Sequence, residues 1–128
     1  PAQYITQEWT PLLPIEKYTE SSQDDEPFEA TFAGEKAPVF PHGFVASNAG
    51  GKFEALRTSP FGDALTKEFA VAALKGEGLG QDAITDLLAV SFSSPDYVGH
   101  AYGTHAIETE DQYLRLDRQL ADLFAELD

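Results

Sequence analysis

Asp96, Gly99 and His100 fall within a few residues of one another in "SFSSPDYVGHAYG" (91–103). An aspartate and a histidine at i and i+4 of a helical turn project to one side. A carboxylate oxygen with an imidazole nitrogen is a donor pair suited to zinc or a similar divalent ion. Gly99 leaves room beside them. The pair is part of a site at most, because a catalytic zinc takes three protein ligands, and an exposed aspartate next to a loop histidine is the plain alternative. His105 lies five residues beyond His100 and could swing back, but it also borders a helix start, where a solvated polar residue is ordinary. His42, in "FPHGF", is flanked by proline and glycine and reads as a turn residue bonded to backbone.

The elements that must position these residues are legible in outline. "DLLAVSFSS" (86–94) is bounded by turn formers and carries successive apolar side chains from Leu87 to Val90, the pattern of a parallel strand buried on both faces. Before it, Ser59 reads as an N-cap and Pro60 as the first helical residue. Leu65, Phe69, Ala72 and Ala73 share one face, and Gly76, Gly78 and Gly80 end that helix. After it, "IETEDQYLRLDRQLADLFAELD" (107–128) predicts a helix with Tyr113, Leu116, Leu120, Leu123, Phe124 and Leu127 as an apolar stripe, and Glu108, Glu110 and Asp111 in the first turn, where they complement the helix dipole. Helix, strand, helix is an α/β unit with a parallel sheet, and its crevice opens at the carboxyl end of the strand, where Asp96 and His100 sit. Residues 1–58 are irregular by contrast, broken by Pro1, Pro11, Pro14, Pro27, Pro38 and Pro41. They include an acidic "ESSQDDE" at 20–26 and a flexible "SNAGG" at 47–51.

Composition narrows the function classes. The 128 residues suit one domain, and 42% hydrophobic content suffices for a core. Twenty-two acidic residues against eight basic ones, a formal charge of −14, oppose binding to nucleic acid or to an anionic membrane surface. No apolar run approaches the roughly 18 residues of a membrane span. Without cysteine, thiolate chemistry and disulfides are excluded. The absence of methionine, even at the start, suggests a processed product or a piece of a longer chain.

Other residues favour structural roles. Trp9, Tyr18 and Phe40 read as core anchors rather than the lining of a substrate entrance. Asp24, Asp25 and Glu26 lack the alternating ligands and glycine of a dedicated calcium loop and read as a solvated acidic turn. Arg115 and Arg118 sit at pairing distance from Asp111 and Asp122 and read as surface ion pairs rather than phosphate ligands.

A more specific pattern runs through the second half. Strand, then Asp96, Gly99 and His100, the Tyr102-Gly103 step, and Glu108, Asp111, Tyr113, Arg115, Leu116 and Asp117 together resemble the metal-binding strand, loop and helix of the alkaline phosphatase superfamily. The resemblance is to the branch that groups phosphate-irrepressible bacterial alkaline phosphatases with type I phosphodiesterases and nucleotide pyrophosphatases. "WTPLLPIEKYT", "GEKAPVFPH" and "SPFGDALTKEFAVAALKGEGLGQD" extend it over most of the chain.

The resemblance implies an α/β fold: a partial alkaline-phosphatase-like core, a parallel strand plus helices, over 59–128, with part of an irregular cap-like insertion over 1–58. It implies that Asp96 and His100 hold one of two zinc ions in a phosphate-monoester hydrolase that works through a phospho-threonine or phospho-serine. The family's nucleophile, its other metal ligands and the histidine that partners Asp96 and His100 match nothing in this chain, so no catalytic residue is expected here and the chain alone is expected to be inactive. Thr104, His105 and Ala106 depart from the residues common after this loop. Diester or pyrophosphate cleavage and a non-catalytic interaction or cap domain are the alternatives. A phosphate-ester substrate, a periplasmic or secreted location, and a need for the parent chain or a second copy to cover the strand complete the expectations.

Overall fold

The structure, a computed structural model, describes residues 2–32, 34–44 and 49–127. Residues 2–44 form two short 3-10 turns, at Tyr4–Thr6 and Ile15–Lys17, and two two-residue strands, β1 (Glu8–Trp9) and β2 (His42–Gly43). The strands pair antiparallel, with Glu8 opposite Gly43 and Trp9 opposite His42. Helices α1 (Ala49–Arg57), α2 (Pro60–Gly76), α3 (Ser94–Tyr102) and α4 (Ile107–Ala125) follow. No described helix is long and apolar enough to cross a membrane.

Several sequence expectations change at this level. Ser47 and Asn48 of the expected flexible stretch fall outside the described residues, but Ala49–Gly51 open α1. Ser59 has the extended backbone of a cap and Pro60 starts α2 as expected, yet the Ser59 hydroxyl donates back to the Leu56 carbonyl at 2.7 Å. Residues 86–93 belong to no sheet, and Leu87 is 93% exposed. A parallel strand buried on both faces needs neighbours on both edges and layers above and below, and the described residues supply only β1 and β2. Phe69 on α2, Tyr113 and Phe124 on α4 and Leu127 just beyond it are exposed as well, and of the expected apolar stripe only Leu123 is buried.

The core forms where the irregular half meets α3 and α4. Trp9, Val98, Tyr102 and Ala106 are its centre, with Phe32, Phe40 and Phe61 packed against them. The Trp9 ring meets Phe40 and Tyr102 edge-on, at centroid distances of 5.4 and 6.1 Å. Trp9, Tyr18 and Phe40 thus act as anchors. Apolar contact alone does not seat them, since the buried face of α4 at this end is polar: Glu108, Asp111 and Gln112 are fully buried. Beyond complementing the helix dipole, Glu108 and Asp111 meet polar partners from distant segments.

Asp111 is the fullest case. Its carboxylate accepts from the Trp9 indole (2.6 Å), the Leu12 amide (2.7 Å), the Tyr18 hydroxyl (2.5 Å) and Arg115 Nε (2.6 Å). Burial and the bond to Asp111 push the Tyr18 phenol up to about 12. Arg115 also donates to the Thr10 carbonyl, so its pair with Asp111 ties the first segment to α4 rather than decorating the surface. Asp122 pairs with Lys67 of α2 at 3.0 Å, not with Arg118.

Asp111→Ala would leave four donors without their acceptor. The expected loss in the full-length protein is roughly 3–5 kcal/mol of unfolding free energy, the cost of breaking a buried charged network on one side. Denaturant titration measures it; a loss under about 1 kcal/mol would mean that water replaces the carboxylate.

Candidate functional site

Asp96 and His100 ride on α3, whose two faces explain their placement. Ser94, Pro95, Val98 and Tyr102 are buried. Residues two positions apart on a helix point roughly 200° apart, so rooting Val98 and Tyr102 in the core turns Asp96 and His100 outward. They are 74% and 80% exposed, with His100 Nε2 and Asp96 Oδ1 3.5 Å apart. The i, i+4 expectation therefore holds as geometry.

The start of α3 is fixed by tertiary contact. Ser93 provides no side-chain cap. The Ser94 amide donates instead to Asp63 Oδ1 of α2 at 3.2 Å, and Gln112 of α4 donates to Asp63 Oδ2 at 2.8 Å. One buried carboxylate thereby locks three helices together. Burial raises the Asp63 carboxyl, and the bonds from Ser94 and Gln112 partly offset this. Gly62 allows the approach, since a Cβ there would lie 2.3 Å from Ser94 Oγ. Arg57 of α1 adds its guanidinium 4.5 Å above the Tyr97 ring.

The far end is fixed by Gly103, with φ of 98°. A Cβ at Gly103 would meet the Phe28 ring at 2.8 Å. The Thr109 hydroxyl donates to the Gly103 carbonyl at 2.6 Å, closing the loop that carries the departures at Thr104, His105 and Ala106. Beside Asp96 and His100 lies a cleft of about 290 Å³ whose lining also includes Gly99, Thr104, Thr109 and Tyr113. Nothing comes within 4 Å of a Cβ placed on Gly99, so the room expected there is present. A larger hollow of about 650 Å³ lies near the end of α2. Its charged groups are already engaged, Lys75 with Glu126 and Asp86 with the Gly80 amide, so the cleft at α3 is the better candidate despite its size.

Neither of the other histidines joins the pair. His105 borders the adjoining cavity of about 420 Å³. His42 is not a turn residue bonded to backbone but lies fully buried in β2, with Nε2 3.2 Å from Glu108 Oε1 and Nδ1 3.3 Å from Glu35 Oε2. Burial alone would pull its proton off, but the two carboxylates outweigh that and raise His42 to about 9. Sequence reading missed it because both partners are remote along the chain or across a turn, and a lone histidine gives no sign of them.

The comparisons with known proteins decide the family. Residues 1–128 match the sequence profile of the type I phosphodiesterase / nucleotide pyrophosphatase family. The chain belongs to that family. It is 48% identical to alkaline phosphatase PafA of Elizabethkingia meningoseptica and 50% identical to alkaline phosphatase PhoV of Synechococcus elongatus, each over 128 residues. It spans 23% of the length of either relative. The crystal structure of wild-type PafA matches 100% of this chain and 25% of its own, with a TM-score of 0.92 at 48% identity. The fold is thus part of the α/β fold of an alkaline phosphatase, and 86–93 is a piece of it without strand partners among the described residues.

The His42 pairing predicts a pH dependence. A folded value near 9 above an ordinary 6.5 adds stability that is fully present below pH 6.5 and is lost as pH rises through 9. The expected decline is of the order of 3 kcal/mol at most, read from unfolding of the full-length protein between pH 6 and 10. His42→Gln should flatten it.

Proposed function

We propose that this chain is part of a zinc-dependent phosphoric ester hydrolase that cleaves phosphate monoesters through a phospho-threonine or phospho-serine, with Asp96 and His100 binding one of two zinc ions. The observation that carries the reading is the projection of these two side chains, 3.5 Å apart, from the exposed face of α3 into an open cleft. That separation matches the edge of about 3.4 Å in a tetrahedron with bonds of about 2.1 Å, the usual arrangement at zinc. An oxygen and a nitrogen donor also fit the ion. Zinc supplies Lewis acidity and depresses the pKa of bound water, so that attacking and leaving oxygens are both stabilised.

The contribution of this chain is positional. Asp63 and Gly103 hold the two ends of α3, and Val98 and Tyr102 keep its other face in the core, so the donor pair is presented with little freedom. Residues 59–128 act as a segment of the α/β core and 1–58 as part of a cap-like insertion. The exposed Leu87, Phe69, Phe124 and Leu127 favour burial against the remainder of the parent chain, or a second copy. A periplasmic or secreted setting follows the family resemblance alone. Cleavage of diesters or nucleotide pyrophosphates is the second reading, favoured by the family's own description.

The test uses the full-length protein with Asp96→Ala and His100→Ala. Each is expected to lower zinc content, measured by metal analysis and calorimetry. Each should also cut p-nitrophenyl phosphate hydrolysis by more than about a hundredfold, beyond the roughly 10–100-fold typical of groups that merely support a ligand. Unchanged zinc binding in both variants sinks the ligand assignment. Faster turnover of bis(p-nitrophenyl) phosphate selects the diesterase reading, and a zinc-loaded protein inert to both esters would be a non-catalytic domain.

A further inference from the structure

The acidic loop that reads as solvated in the sequence is not fully so. Among the described residues, Asp24, Glu29 and Glu108 bring carboxylate oxygens within 4.8 Å of one another, with Asp24 and Glu29 partly buried and Glu108 wholly so. Each already has a partner: Asp24 accepts the backbone amides of Asp25 (3.1 Å to Oδ1) and Phe40, Glu29 Oε2 accepts the Glu26 amide at 2.8 Å, and Glu108 Oε1 faces His42. The remaining oxygens of the two glutamates, Glu29 Oε1 and Glu108 Oε2, are buried without a partner among the described residues. The Tyr102 hydroxyl is buried and unpartnered too, on a fully buried side chain. Burial and the nearby charges of Glu35, Glu108 and Glu29 raise its phenol.

Three orphaned oxygens around one group of carboxylates is an unusual concentration, because buried polar atoms are ordinarily paired. The charge is unbalanced as well. Asp24, Glu29, Glu35 and Glu108 face only the His42 imidazolium, and among the described residues no lysine or arginine pairs with any of them. Burial and proximity to Glu108 accordingly raise the Asp24 carboxyl.

We propose that Asp24, Glu29 and Glu108 form a calcium site that fastens the 20–32 loop to the start of α4. An all-oxygen donor set selects a hard cation over zinc. Calcium binds oxygens at about 2.3–2.6 Å in flexible geometry that suits carboxylates already fixed by other contacts, whereas magnesium demands a stricter octahedron. Neither Asp96 nor His100 takes part, so this site stands or falls apart from the zinc reading.

The test is calorimetric titration of the full-length protein, chelator-treated and then restored with zinc, using calcium chloride. Wild type is expected to take up a calcium ion that Asp24→Asn and Glu29→Gln each bind at least tenfold more weakly, and calcium should raise the melting midpoint of wild type but of neither variant. Glu29 lies in a loop and keeps its shape as glutamine; the melting midpoint without calcium verifies that each variant is folded. Asp96→Ala should retain the uptake. No uptake at millimolar calcium would mean that water or another part of the protein satisfies these oxygens, and overturns the proposal. Equal uptake by both folded variants, or an equal response to magnesium chloride, overturns it also.

Discussion

A carboxylate taken out of water must have its oxygens met, and in this chain that requirement decides which segments touch. Asp63, Glu108 and Asp111 are fully buried. Asp111 gathers the first eighteen residues onto α4 through Trp9, Leu12 and Tyr18, and Asp63 joins α2, α3 and α4. Apolar burial is modest for the chain length, with many large side chains left exposed. Directional bonds to ionised acceptors therefore carry an unusual share of the tertiary specificity, since each is stronger than a neutral bond and costly to leave unmade.

This dependence separates what was legible in the sequence from what was not. Local signals succeeded: Pro60 opens α2, the long helix begins at Ile107, and the i, i+4 spacing of Asp96 and His100 does put them on one face. Periodicity failed at Phe69, Tyr113 and Leu87, which the described residues leave exposed. It failed also where burial is polar. Glu108 and Asp111 look like ordinary first-turn acids, and no pattern in one sequence announces that an imidazole 66 residues earlier and an indole 102 residues earlier will meet them.

The same reasoning explains why the spacing of Asp96 and His100 is legible in the sequence and their supports are not. Donor identity and spacing are local properties, visible within five residues. The supports are not: Asp63 replaces an absent cap on α3 from 31 residues away, and Thr109 restrains Gly103 from across a loop. Short aromatic anchors in the proline-broken half were recognised as anchors because aromatic area is costly to leave exposed, but their polar handles, the Trp9 N–H and the Tyr18 hydroxyl, set where they anchor.

Helix α3 carries buried and exposed positions within every turn, and this bears on how the sequence can change. Each residue turns the helix by about 100°, so an insertion or deletion between Ser94 and Tyr102 either swings His100 away from Asp96 or twists Tyr102 out of the core. Divergence in this helix must proceed by substitution at fixed length. The exposed residues from 81 to 85, ahead of the 86–93 piece, carry no such restriction, and length variation among relatives is expected to collect there.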